Sequence, residues 1–186
     1  MRYIVGIVGE NGAGKDNFTI FLKAAAAPRS VSRVRFSDVL VETLKLWGID
    51  KTRANLQNLA IIMDKQFGPG TVTHAAEARL KRQKADIVII EGIRWQTDVP
   101  MIKSMKNSFI VYVTASPKTR YARMKARAEK VGEDKATYEQ FLKEEEAATE
   151  TDIPKIGKTA DFKIENDGDI DEFRKKVEEF YIKLKT

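Results

Sequence analysis

The feature of this sequence that most limits its possible folds is a glycine-rich loop near the start of the chain. Residues 9–16 read GENGAGKD, and they lie between an apolar run at 3–8 and a helix-forming stretch at 17–27. Glycines allow successive backbone N–H groups to turn toward one point and hold an anion there. The following helix directs its positive N-terminal end at the same point. Strand, loop, Lys15 and helix together predict a phosphate-binding loop.

One position departs from the usual form of this motif. Asp16 stands where Ser or Thr usually supplies a hydroxyl group to magnesium. A carboxylate would bind the metal more strongly, but it also places a negative charge beside the phosphates. A contact through water, a bond to the substrate, or a favourable charge in the first turn of the helix are the alternatives, and they stay open.

The composition is typical of one soluble domain. The chain has 186 residues, of which 42% are apolar and 32% are charged, and it contains no cysteine. This length supports a normal core, and the lack of cysteine excludes disulfides and thiolate metal sites. Without a signal peptide or a run of about 18 apolar residues, we expect a cytoplasmic protein without a membrane segment. The net charge of +6 favours anionic partners, but nucleotide phosphates satisfy this preference without nucleic acid.

Apolar β-branched runs alternate with helical patterns along the chain. The predicted strands cover residues 2–8, 30–36, 87–90, 109–113 and 162–165. The predicted helices cover residues 15–27, 39–47, 53–67, 72–84, 98–105, 117–127 and 170–184, with Ser37 and Asp38 as the N-cap of the second. The acidic stretch 129–152 predicts a mobile helical excursion. This alternation predicts an α/β fold with a parallel sheet, and without repeats or linkers residues 1–186 form a single domain.

Polar residues follow the carboxyl end of every predicted strand, where open α/β sheets bind their ligands. These residues are the glycine loop, Ser37 and Asp38, Glu91 and Arg94, residues 114–116, and residues 166–168. Glu91 follows a buried strand, where an acid can hold magnesium through water. Its alternative role is to cap nearby N–H groups.

Several arginines could surround a phosphoryl group. Arg120, Arg123 and Arg127 lie near one face of a predicted helix, and transfer of a phosphoryl group needs such cations. A solvated basic face is the alternative. Arg94 is a candidate for gripping an acceptor phosphate. Arg53 and Gln57, four residues apart, could face a second ligand, although an exposed helix start explains them almost as well.

With these residues identified, the chain resembles the P-loop nucleotide kinases, which include nucleoside and deoxynucleoside monophosphate kinases and dephospho-CoA kinases. The similar stretches lie at 9–16, 36–40, 52–57, 89–94, 119–127 and 160–168. An aspartate directly after the lysine is a feature of phage-type deoxynucleoside monophosphate kinases and phosphomevalonate kinase. The resemblance implies a three-layer P-loop NTPase fold, with a five-stranded parallel sheet and helices on both faces. It also implies ATP and Mg²⁺, an acceptor-binding arm at about 37–84 and a mobile lid at about 117–160.

The resemblance also implies roles for individual residues. Residues that would bind the nucleotide are Glu10, Asn11, Gly12, Ala13, Gly14, Lys15, Asp16, Asn17, Arg120, Asn166 and Gly168, with Arg120 beside the adenine. Residues that would act on the transferring group are Lys15, Arg123 and Arg127. The acceptor would be oriented or deprotonated by Asp38 and held by Arg53, Gln57 and Arg94. The metal would be bound by Asp16 and Glu91.

The sequence thus predicts an ATP-dependent kinase that acts on a nucleotide, preferably a nucleoside or deoxynucleoside monophosphate. Bacterial dephospho-CoA kinases lack an acid, glycine and arginine arranged as in Glu91, Gly92 and Arg94, which puts dephospho-CoA in doubt as the acceptor. The alternatives are a dephospho-CoA kinase-like enzyme, a polynucleotide or modified-base kinase, and a non-catalytic nucleotide-binding protein. The sequence names neither the acceptor, nor ATP over GTP, nor the oligomeric state.

Overall fold

A computed structural model describes residues 1–127, 136–146 and 150–185, without the side chain of Arg53. Its strands are β1 (Tyr3–Val8), β2 (Val31–Arg35), β3 (Ile87–Glu91), β4 (Ser108–Thr114) and β5 (Phe162–Glu165). They form one five-stranded parallel sheet in the order β2-β3-β1-β4-β5. The predicted α/β fold with a five-stranded parallel sheet is therefore confirmed.

Helices cover both faces of this sheet. They are α1 (Lys15–Ala25), α2 (Phe36–Leu46), α3 (Arg53–Phe67), α4 (Thr71–Lys81), α5 (Asp98–Lys103), α6 (Pro117–Arg127), α7 (Tyr138–Glu145), α8 (Ile153–Lys158) and α9 (Ile170–Lys185). Helices α1 and α9 cover one face, and α2, α4, α5 and α8 contribute buried residues to the other. Neighbouring parallel strands run in the same direction, so the chain must return from the end of one strand to the start of the next. Helices form these crossover connections.

Strand β1 shows how the sequence builds two cores. All six of its residues are buried, and alternate side chains point to opposite faces. Val5 and Ile7 pack with the core that includes Phe18 of α1, whereas Ile4 and Val8 pack with the core that includes Leu80 of α4. A continuous apolar run is therefore required in this central strand, since neither face meets water.

Two local expectations differ from the structure. Helix α2 begins at Phe36, directly after β2, and not after a cap at Ser37 and Asp38. The carboxylate Oδ2 of Asp38 instead accepts a hydrogen bond of 3.0 Å from the backbone N–H of Arg35. Helix α8 was not predicted, although Ile153 and Ile156 bury its apolar side. Parts of the predicted lid, residues 128–135 and 147–149, lie outside the described residues.

A fully buried carboxylate joins α4 to the turn that follows β3. Asp98 Oδ1 accepts a bond of 2.8 Å from the Thr73 hydroxyl group, and Oδ2 accepts bonds of 3.1 Å from the backbone N–H groups of Arg94 and Trp95. Burial raises the pKa of Asp98, and these three bonds oppose that rise. Asp98 therefore fixes the backbone that carries Arg94.

We expect Asp98→Ala to lower the free energy of unfolding by about 3 kcal/mol, since it leaves one hydroxyl and two N–H groups buried without an acceptor. Urea denaturation followed by circular dichroism measures this change. Asp171→Ala, which removes an exposed carboxylate from α9, is the control and should change the free energy by less than about 0.5 kcal/mol. Equal stability of the two variants would contradict the role given to Asp98.

Candidate functional site

The glycine loop lies against the carboxyl ends of β4 and β5, with no room for side chains at two positions. Gly12 and Gly14 have φ angles of 78° and 102°, which L-residues with a side chain rarely adopt. A Cβ atom at Gly12 would lie 2.5 Å from the carbonyl oxygen of Arg120. One at Gly14 would lie 2.4 Å from Asn166 Nδ2, which donates to Ala13 O at 2.9 Å. Close packing thus fixes the loop shape.

Lys15 folds back over this loop. Its Nζ donates bonds of 2.7 Å and 2.8 Å to the carbonyl oxygens of Gly9 and Glu10. The pKa of Lys15 is lowered to about 8, chiefly by burial and secondly by the nearby charge of Arg94, while the acids Glu150, Glu10 and Asp16 oppose these effects. A phosphate held by the loop would place a negative charge beside this amine and so raise the pKa of Lys15.

The Glu10 side chain does not face the space enclosed by the loop. Its Oε1 accepts a hydrogen bond from the Tyr112 hydroxyl group of β4, and its Oε2 is buried without a hydrogen-bond partner. Burial and this acid raise the pKa of Tyr112 to about 12. The role of Glu10 in nucleotide binding stays a prediction.

The two predicted metal ligands share a pair of arginines that were not among the residues predicted for the site. Arg35 of β2 donates from Nε to Glu91 Oε2 at 2.9 Å and from Nη2 to Asp16 Oδ1 at 3.1 Å. Arg33 Nη1 lies 3.5 Å from Asp16 Oδ1 and 3.7 Å from Glu91 Oε2. Glu91 Oε1 accepts a bond of 2.7 Å from the Thr19 hydroxyl group. Asp16 and Glu91 thus share two arginine partners, while metal binding by these two acids stays a prediction.

This donor set fits magnesium in part. Magnesium prefers oxygen ligands and is commonly held by one or two carboxylates together with phosphate oxygens and water. Asp16 and Glu91 supply two carboxylates, and no group of three potential metal ligands occurs among the described residues. The ion would therefore need phosphate or water oxygens, and it would need Arg35 to move.

Two arginines of α6 contact different elements. Arg123 donates to the carbonyl oxygens of Asn166 and Gly168, at 2.7 Å and 3.3 Å. Arg120 is buried, and it donates from Nε to Ala115 O at 2.9 Å. The place of Arg120 beside the adenine stays a prediction.

Other predicted nucleotide-binding residues lie around the same loop. Arg127 Nη2 contacts the Asn11 side chain at 3.3 Å, and Arg120 Nη1 lies 3.5 Å from the carbonyl oxygen of Asn11. Asn17 is exposed in the first turn of α1, beside Asp16. The structure therefore brings the start of α1 and the middle and end of α6 to one place, while the binding roles of these residues stay predictions.

The predicted acceptor residues are less completely united. Arg94 forms an ion pair with Glu150, which lines the small space beside Asn11 of the glycine loop. Asp38 lies at the start of α2, where its carboxylate accepts from the Arg35 N–H. Gln57 is half-buried on α3, and Arg53 begins that helix. Acceptor binding by these four residues stays a prediction.

Acidic residues of the predicted lid cover the loop. Glu150, whose side chain is 11% exposed, forms an ion pair with Arg94, and Glu145 of α7 forms one with Arg120. Phe141 and Glu144 complete the lining, and the space left beside Asn11 is about 10 Å³. A nucleotide would have to displace these carboxylates, because like charges repel strongly in a partly buried site.

Sequence signals for the missed residues differ in strength. Arg33 and Arg35 are two residues apart on a strand, so they share a face near the carboxyl end of the sheet, and this spacing was readable. The bond from Thr73 to Asp98 and the ion pair of Glu150 with Arg94 had no comparable signal, since these partners are 25 and 56 residues apart in sequence.

No helix among the described residues is long and apolar enough to cross a membrane.

Relatives in sequence extend over most of the chain. UPF0200 protein MJ1399 of Methanocaldococcus jannaschii is 30% identical over 141 residues, which cover 75% of this chain and 68% of the relative. A UPF0200 protein of Hyperthermus butylicus is 25% identical over 183 residues, which cover 98% and 95%. Neither name states an activity. A scan of protein-family models gave no match.

Solved structures with the same fold include kinases. Shikimate kinase from Bacteroides thetaiotaomicron has a TM-score of 0.60 and 12% identity, with 96% of this chain and 97% of the other covered. A gluconokinase from Sinorhizobium meliloti has a TM-score of 0.56 and 13% identity, with 99% and 95% covered. At these identities the likeness shows that the chain has the fold of P-loop kinases, and it shows no activity.

The pKa of Lys15 predicts how ATP affinity depends on pH. A bound phosphate raises the pKa of Lys15 above about 8, so binding takes up a proton where the free amine is neutral. The dissociation constant should be flat below this pKa and rise by up to about tenfold per pH unit above it. Calorimetry in buffers of different protonation enthalpy measures the proton uptake. Lys15→Arg, which stays charged, should abolish the slope, and a slope that persists in this variant would assign it to another group.

Glu150→Gln should bind ATP more tightly. The change removes a carboxylate from beside the phosphates and releases Arg94, and we expect about a tenfold lower dissociation constant. Fluorescence titration with a labelled ATP analogue measures it. Glu139→Gln, which makes the same change of charge at an exposed position of α7, should bind like the unaltered protein. Weaker binding by Glu150→Gln would mean that Glu150 supports the nucleotide site and does not compete for it.

Proposed function

This chain belongs to the UPF0200 family, and we propose that it is an ATP-dependent kinase. It transfers the γ-phosphoryl group of ATP to a small anionic acceptor. The preferred acceptor is a nucleoside or deoxynucleoside monophosphate.

The observation that carries this proposal is the approach of two cations to the glycine loop from different elements. Lys15 is the first residue of α1, directly after the glycine loop, whereas Arg94 follows β3 and is one of the predicted acceptor residues. Arg94 reaches the loop through its ion pair with Glu150, which lies beside Asn11, and its charge contributes to the lowered pKa of Lys15. Two cations held together in a partly buried site favour an anion between them, and a migrating phosphoryl group is such an anion.

The reaction needs little covalent participation by the protein. An oxygen of the acceptor forms a bond to the γ-phosphorus, and the bond from that phosphorus to the bridging oxygen breaks, leaving its electron pair on ADP. Lys15 and Arg94 neutralise the charge that spreads over the transferring group. A monophosphate acceptor attacks through an oxygen that is already ionised, so it needs no base. Asp38 would then orient the acceptor instead of deprotonating it.

Magnesium has a defined place in this proposal. Asp16 and Glu91 would hold the ion, directly or through water, together with phosphate oxygens. When bound, the ion supplies charge neutralisation at the β- and γ-phosphates. The chain's own residues do the remaining work. Arg123 and Arg127 would close on the nucleotide, and the lid acids would leave the loop as it binds.

A second acceptor class is supported by the fold comparison. One solved neighbour is a shikimate kinase in complex with shikimate, with a TM-score of 0.52. Arginine binds carboxylates as readily as phosphates through two parallel hydrogen bonds, so a hydroxy acid would also suit Arg94. A hydroxyl nucleophile carries a proton, and Asp38 would then have to accept it. The monophosphate is preferred because the sequence resembles nucleotide kinases at the strand ends.

The test is ADP release with ATP and Mg²⁺ across a panel of acceptors. The panel contains ribo- and deoxynucleoside monophosphates, dephospho-CoA, DNA ends, shikimate and gluconate. We expect one group of monophosphates to stimulate release, and Lys15→Ala to reduce turnover by about 10³-fold with the fold retained. Lys23→Ala, an exposed change on the same helix, should leave turnover unaltered.

Each other outcome selects a different function. Stimulation by hydroxy acids alone would favour the second acceptor class, and stimulation by DNA ends would favour a polynucleotide kinase. ATP binding without release under any acceptor would favour a non-catalytic nucleotide-binding protein. If Lys15→Ala kept most of its activity, the proposed mechanism would be wrong.

A further inference from the structure

The face of β2 that carries Arg33 and Arg35 lies against the two candidate metal ligands. Arg35 is paired with Glu91 in the register of the parallel strands β2 and β3, so its side chain starts beside that carboxylate. Its guanidinium bridges Glu91 and Asp16 with bonds of 2.9 Å and 3.1 Å. One side chain thus contacts the carboxylates of two separate elements, the end of β3 and the first turn of α1.

This bridge differs from an ordinary surface ion pair. Glu91 is only 6% exposed, and a buried carboxylate is costly unless it is paired and hydrogen-bonded. One oxygen of Glu91 is satisfied by the Thr19 hydroxyl group and the other by Arg35. Arg35 is therefore the main counter-charge of Glu91, with Arg33 more distant at 3.7 Å.

A divalent cation and the Arg35 guanidinium cannot use these oxygen atoms together. The two acids and the two arginines of this cluster have a net charge of zero. A divalent ion added to the carboxylates would lie close to both arginine cations. Such repulsion is large in a partly buried site, where the effective dielectric constant is low. The side chain of Arg35 is 40% exposed, so it has a route into solvent when an ion displaces it.

We propose that Arg35 controls access of divalent cations to Asp16 and Glu91, by occupying both carboxylates until a metal ion displaces it. Arg35 is a positioning residue in this scheme, because its hydrogen bond holds the Glu91 carboxylate in place for the ion that replaces it. The inference rests on the metal site of the proposed function. It adds a built-in cation that sets how tightly that site binds its metal.

The test is a titration of the nucleotide-free protein with Mn²⁺, an ion suited to oxygen ligands, with free Mn²⁺ followed by electron paramagnetic resonance. We expect Arg35→Met to lower the dissociation constant for Mn²⁺ by about tenfold, since two ion pairs no longer compete with the metal. Arg174→Met is the matched control. It removes the same charge from an exposed ion pair on α9 and should bind Mn²⁺ like the unaltered protein.

The double variant Arg35→Met with Glu91→Gln locates the effect. It should lose the gain in affinity, because the freed carboxylate is no longer present. If the double variant keeps the gain, the ion binds elsewhere and the proposal is overturned. Equal or weaker Mn²⁺ binding by Arg35→Met than by the unaltered protein also overturns it.

A second variant covers the case in which Arg35→Met does not fold, which circular dichroism reveals. Arg35→Lys keeps the charge but lacks the planar fork that bridges two carboxylates, so it should bind Mn²⁺ more tightly than the unaltered protein. An affinity equal to that of the unaltered protein would overturn the proposal. The titration uses neither nucleotide nor acceptor, so its failure is separate from failure of the kinase assay.

Discussion

Close packing between the glycine loop and the ends of β4 and β5 is the constraint on which the candidate site depends. A Cβ atom at Gly9 would lie 2.2 Å from the carbonyl oxygen of Val113, and a Cβ atom at Gly14 would lie 2.4 Å from Asn166 Nδ2. The amide of Asn166 fixes Ala13 O, and the backbone of Asn166 in turn accepts from Arg123. These contacts fix the positions of the loop, the sheet and α6 relative to one another. They also set the direction of the N-terminus of α1.

Charge is balanced within the site by the chain itself. Each of the cations Lys15, Arg35, Arg94 and Arg120 lies near a carboxylate or a backbone oxygen of the loop. An anionic ligand would therefore have to exchange with contacts that already exist, and in our proposal a metal ion would have to do the same with Arg35. Affinity in such a site is a difference between two sets of interactions, so it responds to pH and to single charge changes. This balance links Asp16, the unusual residue of the loop, to two arginines on the neighbouring strand.

Local patterns predicted most of the fold and part of the site. The five strands and the glycine loop were predicted close to their observed bounds, because apolar runs and glycine spacing are local signals. Expectations failed where a choice depended on packing. The start of α2 moved to Phe36 because Asp38 caps backward onto Arg35, and the short helix α8 formed because Ile153 and Ile156 found a core to bury against.

Local sequence patterns specify the glycine loop, the parallel α/β sheet and a set of polar residues at the strand ends, since each follows from residues near one another in the chain. Tertiary structure decided which of those residues are partners. Only the placement of β2 beside β3 sets Arg35 opposite Glu91, 56 residues apart, and only the packing of α6 sends Arg123 to Asn166. The physical reason is that strand order and register join distant segments, and no spacing along the chain encodes that juxtaposition.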